Sequence, residues 1–304
     1  MEESSTKANT YLYIAGRQPV GEFLQYVRTT AERHEAAAEA GLVEQWRQAS
    51  RRIRQLQQLE SGCADNPTLE PLPRGMQPTA DTALTNPSIQ RTFQHFALRW
   101  AMVPLDNLVV YQNYIDLGYA EALRRSIPPH LSDIELLRFV IGEDLPVAPI
   151  RSARVSDTAF QFWSVSKDLR CTEIALLDPS NLAGYSAKGR PAAVVAVFLG
   201  FSANYLSAVQ VANRLILTNG SHRAYVLREL GFNRVPCLVA QVAEEEIELL
   251  SLNEIRQNAG TYLKAPRPPL FKDYFDEQLR TLIQVGSSTR MLQVSCAIQQ
   301  SRAP

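Results

Sequence analysis

Five consecutive residues, Asn219, Gly220, Ser221, His222 and Arg223, combine a glycine with a hydroxyl, an imidazole and a guanidinium. The apolar run 214–218 before them reads as a strand, and 224–230 after them reads as a helix. A strand-to-helix junction has its own chemistry. Glycine lets the backbone turn and approach a ligand closely, the first-turn N–H groups lack intrahelical partners, and the helix dipole leaves partial positive charge there. An anion is therefore favoured. Arg223 can hold a phosphate bidentately, His222 can donate from its ring, and Ser221 offers a hydroxyl at the cap position. This donor set suits a nucleotide phosphate better than a carboxylate metabolite. The competing reading is structural: Asn219 and Ser221 cap the helix, while His222 and Arg223 make packing contacts.

Beyond the helix, Gly231 stands where a C′ glycine belongs, Phe232 supplies the hydrophobic contact that follows one, and 234–240 resumes as strand. The run LTNGSHRAYVLRELGFNRVPCLV, 217–239, resembles the nucleotide-binding core of the ParB/sulfiredoxin-like superfamily. In that family a strand, a G-x-[HR]-R turn, a helix ending in Leu-Gly and a Val-Pro strand occur together. The similarity extends over about 214–242, and VPLDNL at 103–108 is similar to the strand and turn that open these domains.

The resemblance implies an α+β fold: a ParB/sulfiredoxin-like core of small mixed sheet with helices at 89–243, carrying an insertion near 130–189. A helical N-terminal arm (1–62), a proline-rich linker (63–88) and a C-terminal helix and tail (244–304) would complete the chain. It also implies a nucleotide ligand (ATP, ADP or CTP) with Mg²⁺, its phosphates at Asn219, Gly220, Ser221, His222 and Arg223. The departures are informative. Sulfiredoxins place a catalytic cysteine after the turn glycine, and ParB proteins place a glutamate implicated in CTP hydrolysis there; this chain has Ser221. ParB-like free-serine kinases keep His and Arg on phosphates in a G-H-H-R turn and draw a catalytic acid from elsewhere. Asp106, Asp116, Glu173 and Asp178 are all candidates for such an acid, and none is singled out.

Three functions follow as expectations. The first is a nucleotide-binding protein with phosphotransferase or nucleotide-hydrolase activity on a small molecule. The second is a non-catalytic interaction module holding a protein partner through the helical arm or the C-terminal tail. The third is a ParB-type DNA-binding regulator, which the charge disfavours: Lys+Arg 31 balance Asp+Glu 31, and a phosphate-neutralising surface normally needs a basic excess.

These residues need elements to hold them. Leu42, Trp46, Ala49, Ile53 and Leu56 recur at helical spacing within 21–60, which reads as a helical hairpin packing on its own domain or as a partner-binding stripe. Arg47, Arg51, Arg52 and Arg54 on that stretch read as a solvated face rather than a nucleic-acid contact. Prolines crowd 65–87, predicting a draped loop. Helix is expected from 89 to 100 and from 119 to 125, and again after Ser132, where Ser132 and Glu135 match a capping box ended by Gly142. The runs 160–165 and 172–177 read as a hairpin, and 192–201, 205–211 and 214–218 as core strands. The segment 270–276 is expected to dock on its own domain, 244–252 to be an acidic-faced helix, and 291–298 to be a strand with one buried face.

Cys63, Cys171, Cys237 and Cys296 form no CxxC pair and, with four scattered histidines, suggest neither metal site nor disulfide framework. They read as small core residues. The polar start of the chain, and the lack of any window near the roughly 18 apolar residues of a membrane span, lead to the expectation of a cytoplasmic protein without membrane contact.

Overall fold

A continuously apolar strand is stable only where both faces are covered, and the run TYLYI meets that condition. The computed structural model describes residues 10–32, 36–128, 130–142, 148–166, 168–181, 184, 189, 191–201, 205–249, 252–286 and 289–299. In it, this run is β1 (Thr10–Ile14), buried at every position. It lies between β3 (Tyr114–Asp116) and β11 (Arg280–Gln284), antiparallel to both. Stacking of Tyr11 on Tyr114 and of Tyr13 on Tyr26, with centroids 4.6 Å and 4.5 Å apart, closes one side.

The helical hairpin forms as α1 (Val20–Thr30) and α2 (Ala36–Leu59). Ala49, Ile53 and Leu56 of the expected stripe are buried, and Trp46 Nε1 and Ser50 Oγ donate to the carbonyls of Gln18 and Gly16 in the loop after β1. The stripe is thus used within the molecule.

A second sheet positions the junction. Its order is β2 (Ala97–Pro104), β10 (Arg234–Val242), β8 (Ser207–Val211) and β9 (Arg214–Asn219), with β2 antiparallel to β10, β10 parallel to β8, and β8 antiparallel to β9. The helix α7 (Ser221–Glu229) carries the chain from β9 to β10. It ends as expected: Gly231 is left-handed, its N–H donates to Arg228 O, and the Phe232 N–H donates to Leu227 O, which together make a Schellman motif. The other helices are α3 (Gln77–Leu84), α4 (Pro87–Thr92), α5 (Leu117–Arg125), which packs on α7 and the β1 sheet, α6 (Asp133–Ile141), which packs on β10, and the short α8 (Asn253–Gln257). The α6 capping box is complete, with Glu135 N–H donating to Ser132 Oγ and Ser132 N–H to Glu135 Oε2.

The chain divides into two compact units, one from 1–145 and 204–287, the other from 146–203 and 288–304. The second unit contains β4 (Arg151–Ser156), β5 (Ala159–Ser164), β6 (Arg170–Leu177), β7 (Val194–Gly200) and β12 (Arg290–Ser295). The whole is mixed α+β with several small sheets. Among the described residues, no helix is long and apolar enough to cross a membrane.

Several local expectations are corrected. The proline-rich stretch 65–87 contains α3, because Pro78 falls in its first turn, where a missing N–H costs nothing, and Glu70 pairs with Met102 of β2. Residues 97–100 are strand, not helix. The runs 160–165 and 172–177 do not pair with each other: β5 lies between β4 and β12, and β6 pairs with β7. Val195 and Phe198 of β7 are exposed, since a two-stranded ladder has no second layer to cover both faces. Residue 298 is 90% exposed, so the alternation at 291–298 does not bury one face. Residues 244–249 are 3₁₀ rather than α-helical. Cys237 is a core residue, whereas Cys171 and Cys296 are exposed. Lys167, much of the loop after 181, and both chain ends lie outside the described residues.

Candidate functional site

Gly220 is the N-cap of α7, with φ +91° and no side-chain cap. A Cβ built there would lie 3.0 Å from both Cα and Cγ of Leu206, so its conformation and the close approach of the neighbouring strand both require glycine. Ser221 is accordingly the first helical residue, not the cap, and it is buried. Asn219 is the last residue of β9, opposite Ser207 in the register. Behind it Ser207 Oγ and Thr218 Oγ1 lie 2.9 Å apart, and Tyr111 OH donates to Thr218 O at 3.1 Å. These contacts fix the strand end from which the turn departs.

His222 and Arg223 point to different tasks. The Asp116 amide N–H donates to His222 Nε2 at 2.9 Å, which leaves the ring proton on Nδ1. Burial, reinforced by the adjacent Arg223 charge, lowers the His222 pKa to about 4, so the ring is neutral near neutrality. The Tyr119 ring stands edge-on to it at 5.2 Å. Arg223, only 2% exposed, turns inward and donates Nη1 to Val140 O at 2.7 Å and, more weakly, to Phe139 O at 3.4 Å. Those carbonyls belong to the end of α6, where C=O groups lack intrahelical donors and the dipole favours a cation. Burial lowers the Arg223 pKa to about 10, which leaves it charged at neutral pH. Cys237, on β10 beneath it, has its thiol pushed up by burial, so it is no ready nucleophile.

The four candidate acids separate cleanly. Asp116 is beside the junction: its Oδ1 accepts from the Tyr119 N–H at 3.0 Å as the cap of α5, and burial raises its carboxyl pKa. Asp106 faces Arg228 bidentately at 2.9 Å and 3.0 Å, which ties VPLDNL to the last turn of α7. Glu173 and Asp178 belong to the second unit. Asp178 is occupied in a local turn, accepting from the Ser180 N–H and hydroxyl.

The two stretches that carry the family resemblance lie against one another. β2 pairs with β10 from Ala97 to Pro104, the Leu105 N–H donates to Asn233 O, and Val109 joins the free side of β9 through bonds with Leu215 and Leu217. Comparison with family models, with curated proteins and with solved structures returns no match. Sequence reading missed Tyr119, Tyr111 and Ser207, which sit on other elements and carry no local motif. The Asp-to-Tyr spacing of an N-cap at 116–119 was the one available signal.

Proposed function

We propose that this chain is a nucleotide-binding protein with a ParB/sulfiredoxin-like core, taking nucleotide phosphates at the first turn of α7. The observation that carries the reading is the convergence of VPLDNL and LTNGSHR on one sheet, with Asp106 bound to Arg228 and Val109 laddered onto β9. The donors are the first-turn amides after Gly220 and the Nδ1–H of neutral His222. Arg223 contributes positive potential from beneath while anchoring α6. Asp116 is the acid of the site. Because its burial disfavours the anion, it can take a proton from a hydroxyl acceptor, or bind a cation that arrives with the phosphates. A phosphotransferase or nucleotide-hydrolase activity follows from that pairing.

The test is calorimetric titration with ATP, ADP and CTP, with and without Mg²⁺. At least one nucleotide should bind the wild type, and His222→Gln, which keeps an acceptor for the Asp116 amide but loses the Nδ1–H, should weaken it about tenfold, the scale of one hydrogen bond to a charged group. No binding by any of the three overturns the proposal. A second reading, an interaction module without catalysis, is favoured by the exposed Val155, Phe160, Ile174, Leu176, Val195 and Phe198 of the second unit. Nucleotide binding with neither hydrolysis nor transfer would select it.

A further inference from the structure

A separate cleft of about 330 Å³ opens between α2, the loop after β1 and the π-helical turn Gly260–Lys264. Its lining includes Arg17, Arg54, Arg267, Ser50 and Thr261, and among the described lining residues there is no Asp or Glu. Arg267 is a fixed wall: Nε and Nη2 bind Glu60 at 3.1 Å and 3.0 Å, and Nη1 and Nη2 bind Asp273 at 2.8 Å and 2.5 Å. Arg17 is committed on one side only. Its Nη2 donates to Asp273 Oδ2 and Pro268 O at 3.1 Å and 3.2 Å, whereas its Nε is buried without a hydrogen-bond partner. Such an orphan donor costs free energy unless something fills it.

Charge points the same way. Arg17, Arg267 and Lys272 share two carboxylates, Glu60 and Asp273, with Lys272 reaching Glu60 at 2.9 Å, and Arg54 adds a fourth positive charge beside them. Two positive charges are left over. Of the basic residues on α2, Arg47 and Arg51 meet Glu44 and Arg52 meets Asp276, whereas Arg54 has no carboxylate partner among the described residues. The parts are also held in place in advance. A Cβ at Gly16 would lie 2.6 Å from the Ser50 nitrogen, so glycine lets the Arg17 loop press directly on α2, and Ser50 Oγ fastens that contact at 2.8 Å. π-Helical turns are rare and concentrate at functional sites.

The geometry points to this cleft as a binding site for a small phosphate ester. A phosphate monoester carries close to two negative charges at neutral pH, matching the surplus, and guanidinium forks suit its oxygens. The volume admits a phosphate with a sugar-sized body; Thr261 supplies a hydroxyl for it, and Ser50 Oγ, whose proton is held by Gly16 O, can accept from a sugar hydroxyl. Arg54 and Arg17 make the grip while Arg267 supplies fixed charge.

The test is calorimetry with ribose 5-phosphate and with inorganic phosphate, ionic strength held constant with NaCl. The wild type should bind ribose 5-phosphate saturably and more tightly than inorganic phosphate. Arg54→Gln should weaken it at least tenfold with Tm unchanged, because Arg54 is exposed and makes no hydrogen bond or ion pair among the described residues. Arg17→Lys, which keeps the charge and loses the fork, should weaken it likewise, and His222→Gln should leave it alone, which separates this site from the α7 junction. Wild-type affinity in Arg54→Gln, or no binding of either probe, overturns the site. Inorganic phosphate binding as well as the ester overturns the ester assignment.

Discussion

His222 is half-buried, and that burial together with the Arg223 charge beside it holds the ring neutral and makes it a pH sensor for stability. Its folded pKa of about 4 lies below the ordinary 6.5, so the unfolded chain binds the proton first. The contribution is complete above pH 6.5 and is lost as pH falls toward 4, amounting to at most about 3 kcal/mol. Urea unfolding from pH 7 to pH 4 should show this loss in the wild type and a flatter profile in His222→Gln. Gly220 gives a second residue-scale prediction. Gly220→Ala should destabilise by about 2–4 kcal/mol, combining left-handed strain with the Leu206 clash. Gly231→Ala, with φ +92° but open space around it, should cost only about 1–2 kcal/mol. Equal costs would remove the steric argument. At this scale the glycine, the histidine and the arginine were legible as a junction, but their orientations were not. Sequence gives Arg223 a helix start, and only the packing of α6 decides that its fork turns inward.

Among the elements, α6 links the junction to the sheet. Its Val140 carbonyl accepts both Arg223 Nη1 and the Leu206 N–H, each at 2.7 Å, so its C-terminal end supports β8 and α7 together. Ser132→Ala removes the capping bond at its other end and should cost about 1 kcal/mol of global stability. Hydrogen exchange should quicken in α6 and at the Leu206 amide; an effect confined to the first turn of α6 would show that the two ends are not coupled. The helix, its cap and its glycine stop were readable because capping chemistry is local. Strand partners were harder. The runs at 160–165, 172–177 and 192–201 were recognisable as strands, yet pairing and covering depend on residues far away in sequence. An apolar run signals a strand without saying whether a layer lies over it. Arg54 is exposed, as a solvated helix face requires, but that it also lines a cleft depends on residues far away in sequence.

For the whole molecule, the chain leaves the first unit after α6 and returns before β8, and those two points are hydrogen-bonded, Leu206 N–H to Val140 O. An excursion whose ends meet can be shortened without straining the body that carries it. Replacing 143–204 by a four-residue glycine-serine linker and ending the chain at 287 should therefore leave a folded protein. Loop closure itself favours the shorter chain, by about 2 kcal/mol from the logarithmic length dependence. The sheet β2-β10-β8-β9, the β1 sheet and α7 all lie outside the deleted residues. The shortened protein should unfold cooperatively in urea and bind both nucleotide and ribose 5-phosphate as the full chain does, since Gly220, His222 and Asp116 and the three cleft arginines all remain. A molten product, with helical far-UV signal but no cooperative transition, would mean that the second unit is needed to complete the core of the first. A folded product that has lost nucleotide alone would place part of that site in the second unit, and would return Glu173 and Asp178 to consideration as its acid.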